Sequence, residues 1–375
     1  MQVGTGFSAT ASSREAGAEA ADQAFRSVEK PVLAFLFSTG GYDQKDVLDG
    51  VLSRAGGARV VGACGAGVLT PRGVFRQGVA VLALGGAEVF AVTALERFDE
   101  RDSEETGRRL AKSLLAEAPV RGGTVFVFPD GLAKNVGRML CGLYGAMGPD
   151  FRYVGGATGD NQRLVNLCQV TERGAATRSV AAALVWGCSF GVGLGHGWKE
   201  TGAPLIITRA RGRVLYELDG HPALDVYSRR VEGLDRRNFA VSGAAHPLGL
   251  VDAAGRFIIR DPVRVLPGGA VQMATDVPPR AVAFLMAAGK DDMLEASRGA
   301  ASGAARTVRA PRFALVFDCV SRFLFLGEGA GEVAVIRYAL GAIPFVGFLS
   351  FGEVAAYEDV PLVHNKSLVV ACGGV

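Results

Sequence analysis

Hydrophobic and polar positions along this chain change period in a repeating order. Residues 3–8 form a short apolar run. Over 14–28, Ala16, Ala20, Ala24 and Val28 fall on one helical face, and Ser12 or Ser13 can cap the start of that helix. Pro31 opens a strand at 32–37. Asp43 can then cap a helix that carries Val47, Leu48, Val51 and Leu52 and stops at Gly56-Gly57. A strand at Val60-Val61 runs into Gly62-Ala63-Cys64-Gly65-Ala66-Gly67, and two more strands are predicted at 78–84 and 89–95.

The same order returns. A helix is predicted over 103–115, a strand over 124–128, a helix over 135–147, and Tyr153-Val154 leads into Gly155-Gly156-Ala157-Thr158-Gly159-Asp160. Strands at 164–171 and 180–186 close this second copy. A third copy runs from a strand at 281–286 through a helix at 293–308 and a strand at 313–317. Its Gly-rich turn is Val346-Gly347-Phe348-Leu349-Ser350-Phe351-Gly352-Glu353, and its last strand is 366–370. Gly62 and Gly155 lie 93 residues apart, and Gly155 and Gly347 lie 192 apart. A weaker fourth copy is expected between them, around Val241-Ser242-Gly243. Periods of this length mean duplicated units rather than a short-repeat solenoid. The expected fold class is therefore α/β, with internally duplicated units, mixed β-sheets flanked by helices, and two domains.

Composition narrows the field. The 375 residues include 49% hydrophobic and 21% charged residues, enough to fill large cores and too apolar for a disordered chain. The 52 glycines follow no collagen period; many sit beside Val-rich runs, where they serve tight turns or close backbone approach. With 40 Lys and Arg against 37 Asp and Glu, and no basic stripe, nucleic acid is not an expected partner. The most apolar stretches, 79–95 and 180–195, are broken by glycines and by Glu88 or Ser189. The start of the chain has no signal-peptide pattern. Six cysteines without a C-x-x-C pair suggest neither a zinc site nor a disulfide framework. A cytoplasmic protein with free thiols and no membrane partner is expected.

Several motifs together resemble the FIST family, named for F-box and intracellular signal transduction proteins. In the first half these are the turns 62–67 and 155–160 and His196-Gly197-Trp198. Thr208-Arg209-Ala210-Arg211-Gly212 and the stretch 215–227 are similar to the start of FIST C. Cys319-Val320-Ser321-Arg322, Gly347 through Glu353, and His364-Asn365-Lys366-Ser367 resemble the family's C-x-x-R, G-x-x-x-x-G-E and H-N-x-T patterns. Ser367 stands where that pattern has threonine and keeps the hydroxyl. The resemblance implies a FIST N-like domain over 1–205 and a FIST C-like domain over 206–375. It also implies a sensory module for a small molecule such as an amino acid, signalling through a separate protein such as a histidine kinase. A haem-binding nitric oxide sensor is the alternative within that family.

The candidate ligand-binding residues are Cys64, Gly156, Asp160, Cys319, Arg322, Ser350, Glu353 and Asn365. Strand-to-glycine turns are where open α/β sheets place ligands, although such glycines also serve simply to reverse a strand. Arg322 and Glu353, if they face one another, offer a cation for a carboxylate and an anion for an amine; otherwise they form a structural ion pair. Asp160 either meets a ligand or stabilises its own turn. Cys319 beside Arg322 is either an activated thiol or a packed one, and Cys141 and Cys188 fit apolar patterns as packing residues. No cofactor is expected unless haem binds, for which His364 or His196 would be the axial ligand. His221 and His246 precede prolines and belong to turns. No G-x-S-x-G, H-E-x-x-H or P-loop sequence occurs. A nucleophilic Cys319 with His364 as base is the enzymatic alternative.

Overall fold

A computed structural model describes the chain except residues 162–164, 166, 329, 330 and 358. The first unit runs β1 (Gln2–Ser8), α1 (Ser13–Phe25), β2 (Pro31–Thr39), α2 (Gln44–Leu52), β3 (Arg59–Gly65), the hairpin β4 (Val68–Thr70) and β5 (Gly73–Phe75), and β6 (Val79–Gly85). The Ser12 hydroxyl caps α1 and Asp43 caps α2, satisfying backbone N–H groups that have no partner inside the helix. The second unit repeats this order. It runs β7 (Phe90–Arg97), α3 (Ser103–Glu117), β8 (Gly123–Pro129), α4 (Val136–Met147), β9 (Phe151–Gly156), the hairpin β10 (Cys168–Thr171) and β11 (Gly174–Thr177), and β12 (Ser179–Trp186). The expected strand at 164–171 falls partly outside the described residues.

The third unit is interrupted. After β13 (Ser189–Gly195) comes an insertion of β14 (Lys199–Arg211), β15 (Val214–Leu218), β16 (His221–Pro222), α5 (Ala223–Arg230), α6 (Phe239–Ser242), β17 (Leu248–Val251), β18 (Phe257–Arg260), β19 (Pro262–Val265), β20 (Val271–Met273) and β21 (Val282–Ala287). These strands pair in the order β18–β17–β21–β14–β15–β20–β19, with β16 on β15, and curl antiparallel around Leu205, Ile207, Tyr227, Phe239 and Leu285 as a near-closed barrel. The unit then resumes with α7 (Lys290–Arg306), β22 (Pro311–Cys319), α8 (Val320–Leu326), α9 (Glu332–Leu340), β23 (Phe345–Ser350), the hairpin β24 (Glu353–Tyr357) and β25 (Val360–His364), and β26 (Leu368–Gly374). The barrel accounts for the longer second offset. It also overturns the expected fourth copy: Val241-Ser242-Gly243 is the end of α6, a short helix of the barrel.

The three units exchange hairpins in a closed ring. The sheets run β1–β6–β2–β3–β10–β11, β7–β12–β8–β9–β24–β25 and β13–β26–β22–β23–β4–β5. Each has one parallel pair, and its last two strands come from another unit. Gly62, Gly155 and Gly347 sit opposite Val170, Val354 and Leu69 of those visiting hairpins. On the other side each glycine crowds the parallel neighbour: an added Cβ would lie 1.7 Å from the Leu36 carbonyl oxygen, 2.0 Å from that of Val127 and 1.9 Å from that of Val316. No side chain fits there, so the repeated glycines mark backbone approach.

These registers superpose Phe37, Phe128 and Phe317, and their rings meet at the centre. The centroids are 5.8, 6.1 and 5.8 Å apart, all edge-to-face, and all three rings are fully buried. Phe348 packs against all three at 4.9 to 6.2 Å, filling space left by Gly156 and Ala63 at the equivalent positions. Phe128→Ala removes one third of this cluster and is expected to cost about 3–5 kcal/mol. Urea unfolding checks this, and a loss below about 1 kcal/mol would refute the trio as the centre of the core.

Candidate functional site

Most of the buried charged and ionisable side chains lie in the third unit, around the end of β22. Asp318 follows the apolar run 313–317 of β22, and α8 begins directly after Cys319 and carries Arg322 inward. The Arg322 side chain is fully buried. Its Nη1 donates to the His196 carbonyl at 2.6 Å; its Nη2 donates to Ser297 Oγ at 2.8 Å and Glu332 Oε1 at 2.6 Å. Its Nε lies 3.3 Å from Asp318 Oδ1, in ionic contact but without hydrogen-bond alignment. Two carboxylates thus share one guanidinium. Burial and the neighbouring Glu332 raise the Asp318 pKa well above its usual range, with Arg322 opposing.

A cavity of about 380 Å³ opens beside this cluster. Asp318 and Glu332 line it with Phe323 and Val333 from the α8–α9 region, and Val74 and Arg76 approach from the β4–β5 hairpin of the first unit. Arg76 Nε contacts Glu328 at 2.5 Å, and its guanidinium lies over the Phe323 ring, 5.5 Å from the centroid. The cavity therefore has walls from both halves of the sequence, an acidic floor and a cation–carboxylate pair at its edge.

Five of the eight expected residues gather in a second, closed cluster. Gly156 pairs with Glu353 across β9 and β24, and a Cβ on Gly156 would lie 3.0 Å from Ser350 Cβ. Ser350 Oγ is 2.7 Å from Glu353 Oε1 and 3.2 Å from the Asp318 carbonyl oxygen. A hydroxyl has one proton, and the carbonyl can only accept. Both contacts are met when Ser350 donates to the carbonyl and a protonated Glu353 donates to Ser350. Burial pushes the Glu353 pKa up to about 8, against its polar contacts with Ser350, the Ser367 N–H and the Cys319 thiol. Ser367 Oγ donates to the Asn365 carbonyl, and Asn365 Oδ1 accepts from Thr275 of the barrel at 2.6 Å.

The remaining three lie elsewhere. The Cys64 thiol donates to the Gly159 carbonyl and accepts the Cys168 N–H, both at 2.9 Å, and burial pushes its pKa up to about 12. Asp160 Oδ2 accepts the Val165 N–H at 2.8 Å, a bond within its own loop. Arg322 does not meet Glu353 as its ion partner; the nearer Asp318 and Glu332 take that place. The three Gly-rich turns do converge, through Gly159 N–H to Cys64 O, Ala157 N–H to Gly352 O and Ala66 N–H to Leu349 O, but as packed backbone. Cys141 is exposed on α4 rather than packed. Asp318, Glu332 and Arg76 were missed by the sequence reading. For Asp318 the usable signal was a charged residue directly after the apolar run 313–317.

Neither expected haem histidine fits a haem ligand. His196 Nδ1 accepts the Trp198 N–H at 3.0 Å, which puts the ring proton on Nε2. His364 Nε2 faces the Ala355 carbonyl at 3.2 Å and so also carries a proton. Burial holds both rings neutral, at about 4 and about 3. Cys319 is likewise raised well above the usual thiol range by burial and by Glu353, the reverse of what a nucleophile requires.

The FIST N domain profile matches residues 32–221 and the FIST C domain profile matches residues 223–356. The chain belongs to the FIST family. FIST domains are sensory and signalling domains. This FIST protein is similar over nearly its whole length to uncharacterized proteins Mb0898c of Mycobacterium bovis and MT0897 of Mycobacterium tuberculosis. Each is 26% identical over 397 residues, covering 99% of this chain and 98% of the relative. Among the described residues, no helix is long and apolar enough to cross a membrane.

Glu353 has a built-in control. The strand registers place Gln169 at its position in the second unit, where Gln169 Nε2 donates to Thr158 Oγ1 and its Oε1 accepts the Ser179 N–H. Glu353→Gln should reproduce that pattern with Ser350 and Ser367. The folded-state pKa of Glu353 is raised, so its contribution is fully present below about pH 4.5 and is lost as pH rises through about 8. Glu353→Gln is therefore expected to be more stable than the wild type above pH 8, by about 1–3 kcal/mol, and to flatten stability between pH 5 and 8. Denaturant midpoints against pH test this. A variant that is less stable at pH 9 contradicts a protonated Glu353.

Proposed function

We propose that this FIST protein is a ligand-binding sensor and that its ligand is an amino acid with a modest apolar side chain, held in the cavity between the β4–β5 hairpin and the α8–α9 region. The observation that carries this reading is the cavity's charge arrangement. Two buried carboxylates at its floor share one guanidinium, and Asp318 Oδ1 has no hydrogen-bond donor. A ligand ammonium supplies the missing cation and donor, while the ligand carboxylate competes with Glu328 for Arg76. Phe323, Leu326, Val333 and Val74 offer apolar contact, and the volume suits a small ligand.

Signalling follows from where Arg76 sits. It lies just beyond the hairpin that joins the first unit to the third, so exchanging its Glu328 contact for a ligand contact biases the seating of that hairpin. The shift requires different ligand affinity in the two arrangements. The output passes to a separate signalling protein, such as a histidine kinase.

Calorimetric titration of the full chain with the twenty amino acids tests the reading, alongside matching amines and carboxylates that lack one of the two charges. One or a few amino acids are expected to bind, and both single-charge analogues to bind more weakly. Asp318→Asn and Arg76→Gln should each weaken binding roughly tenfold or more. No binding by any amino acid, or an affinity indifferent to both substitutions, overturns the proposal.

A further inference from the structure

The ring of three units has three junctions, and the same chain supplies three versions of one position. Where the second unit's hairpin sits on the first unit's sheet, Arg59 of β3 meets Glu172 at the hairpin tip. Arg59 Nη1 is 2.9 Å from Glu172 Oε1, and its Nη2 is 2.7 Å from Glu117 Oε2. Glu172 also accepts from Thr93 Oγ1 at 2.7 Å and from the Val60 N–H at 3.1 Å. A carboxylate with three donors fills that junction, and these bonds hold its pKa below the usual value against the effect of burial.

The third unit's hairpin sits on the second unit's sheet in the same register. Gly155 matches Gly62, so Arg152 stands where Arg59 does; Val354 matches Val170, so Ala356 stands where Glu172 does. By the pairing of β13 with β26, Val192 replaces Thr93. The cation has been kept, while the carboxylate and its hydroxyl partner have gone. In their place is a cavity of about 520 Å³ lined by Arg152, Val192 and Ala356, with Thr124, Ser189 and Thr307 supplying hydroxyls. Arg152 Nη1 donates to the Phe190 carbonyl, and among the described residues it forms no salt bridge. At the remaining junction the three positions are Pro344, Pro71 and Thr5. There the cation is gone as well, and the cavity is about half the size, near 270 Å³.

We propose that the cavity at the junction of the second and third units binds a small monocarboxylate, its carboxylate on Arg152 and its short apolar tail against Ala356, Val192 and Phe190. The ligand's carboxylate does there what Glu172 does at the first junction. Asp150 and Asp359 also line the cavity; their charge selects for a single negative charge over a dianion such as phosphate. This site shares no residue with the amino-acid cavity, and neither proposal depends on the other.

Propionate, which is the glutamate side chain without its backbone, is the probe. Its binding to the full chain is followed by saturation-transfer NMR and by thermal shift, against sodium chloride at equal ionic strength. Saturable binding in roughly the millimolar range is expected, abolished by Arg152→Ala. Ala356→Glu restores the internal carboxylate of the first junction; it should abolish propionate binding and raise the melting temperature of the ligand-free protein. Absence of saturable binding, or binding that survives either substitution, overturns the proposal. Equal competition by phosphate would make the cavity a general anion site and overturn it too. Unchanged amino-acid binding in Arg152→Ala keeps this result separate from that of the other cavity.

Discussion

None of the three sheets is complete until a hairpin from another unit pairs onto it. The first unit gives its hairpin to the third, the second to the first and the third to the second. Backbone hydrogen bonds that would otherwise lie at a sheet edge are satisfied only in the closed ring. The receiving strand must also lie tight against its parallel neighbour, and Gly62, Gly155 and Gly347 allow this because they have no Cβ to meet the Leu36, Val127 and Val316 carbonyls. The central phenylalanines then become one core, since Phe37, Phe128 and Phe317 belong to three sheets that the hairpins hold together. The barrel can be inserted between β13 and α7 because that link lies outside the ring of exchanges.

Against this repeated frame, the chemistry is found where the units differ. One position is Gly65 in the first unit, Thr158 in the second and Ser350 in the third; its partner is Val68, Gln169 and Glu353. The series runs from apolar to neutral polar to ionisable. The strand-end position is Ser38, Pro129 and Asp318. The third unit therefore concentrates buried charge beside the first unit's hairpin, while the junction of the second and third units keeps a guanidinium whose carboxylate has been lost. Both cavities lie at exchanged hairpins, so a ligand bound in either would act on the contacts that close the ring.

The sequence reading was most accurate where the physics is local. Ser12 and Asp43 cap the helices expected of them, because a short polar side chain before an apolar-periodic segment has few other uses. The glycine offsets identified real repeats, because a backbone contact with no room for Cβ leaves a mark at every copy. It failed where a partner is chosen at long range. Arg322 and Glu353 belong to recognisable motifs but bond different neighbours, since α8 turns the guanidinium toward α7 and α9. Cys141 lies in an apolar stretch, yet its position on α4 faces out. Val241-Ser242-Gly243 imitates a strand-to-glycine turn and forms the end of a helix instead.

The amino-acid sequence alone determined the α/β character, the repeated units and the family, since periodicity, caps and obligatory glycines are written residue by residue. Tertiary structure decided which carboxylate reaches Arg322, that burial raises the pKa of Glu353, and that the Gly-rich turns pack against one another while the cavities open elsewhere. These depend on distances between residues from different units, and on the desolvation that closing the ring imposes. Neither quantity exists until the hairpins have been exchanged.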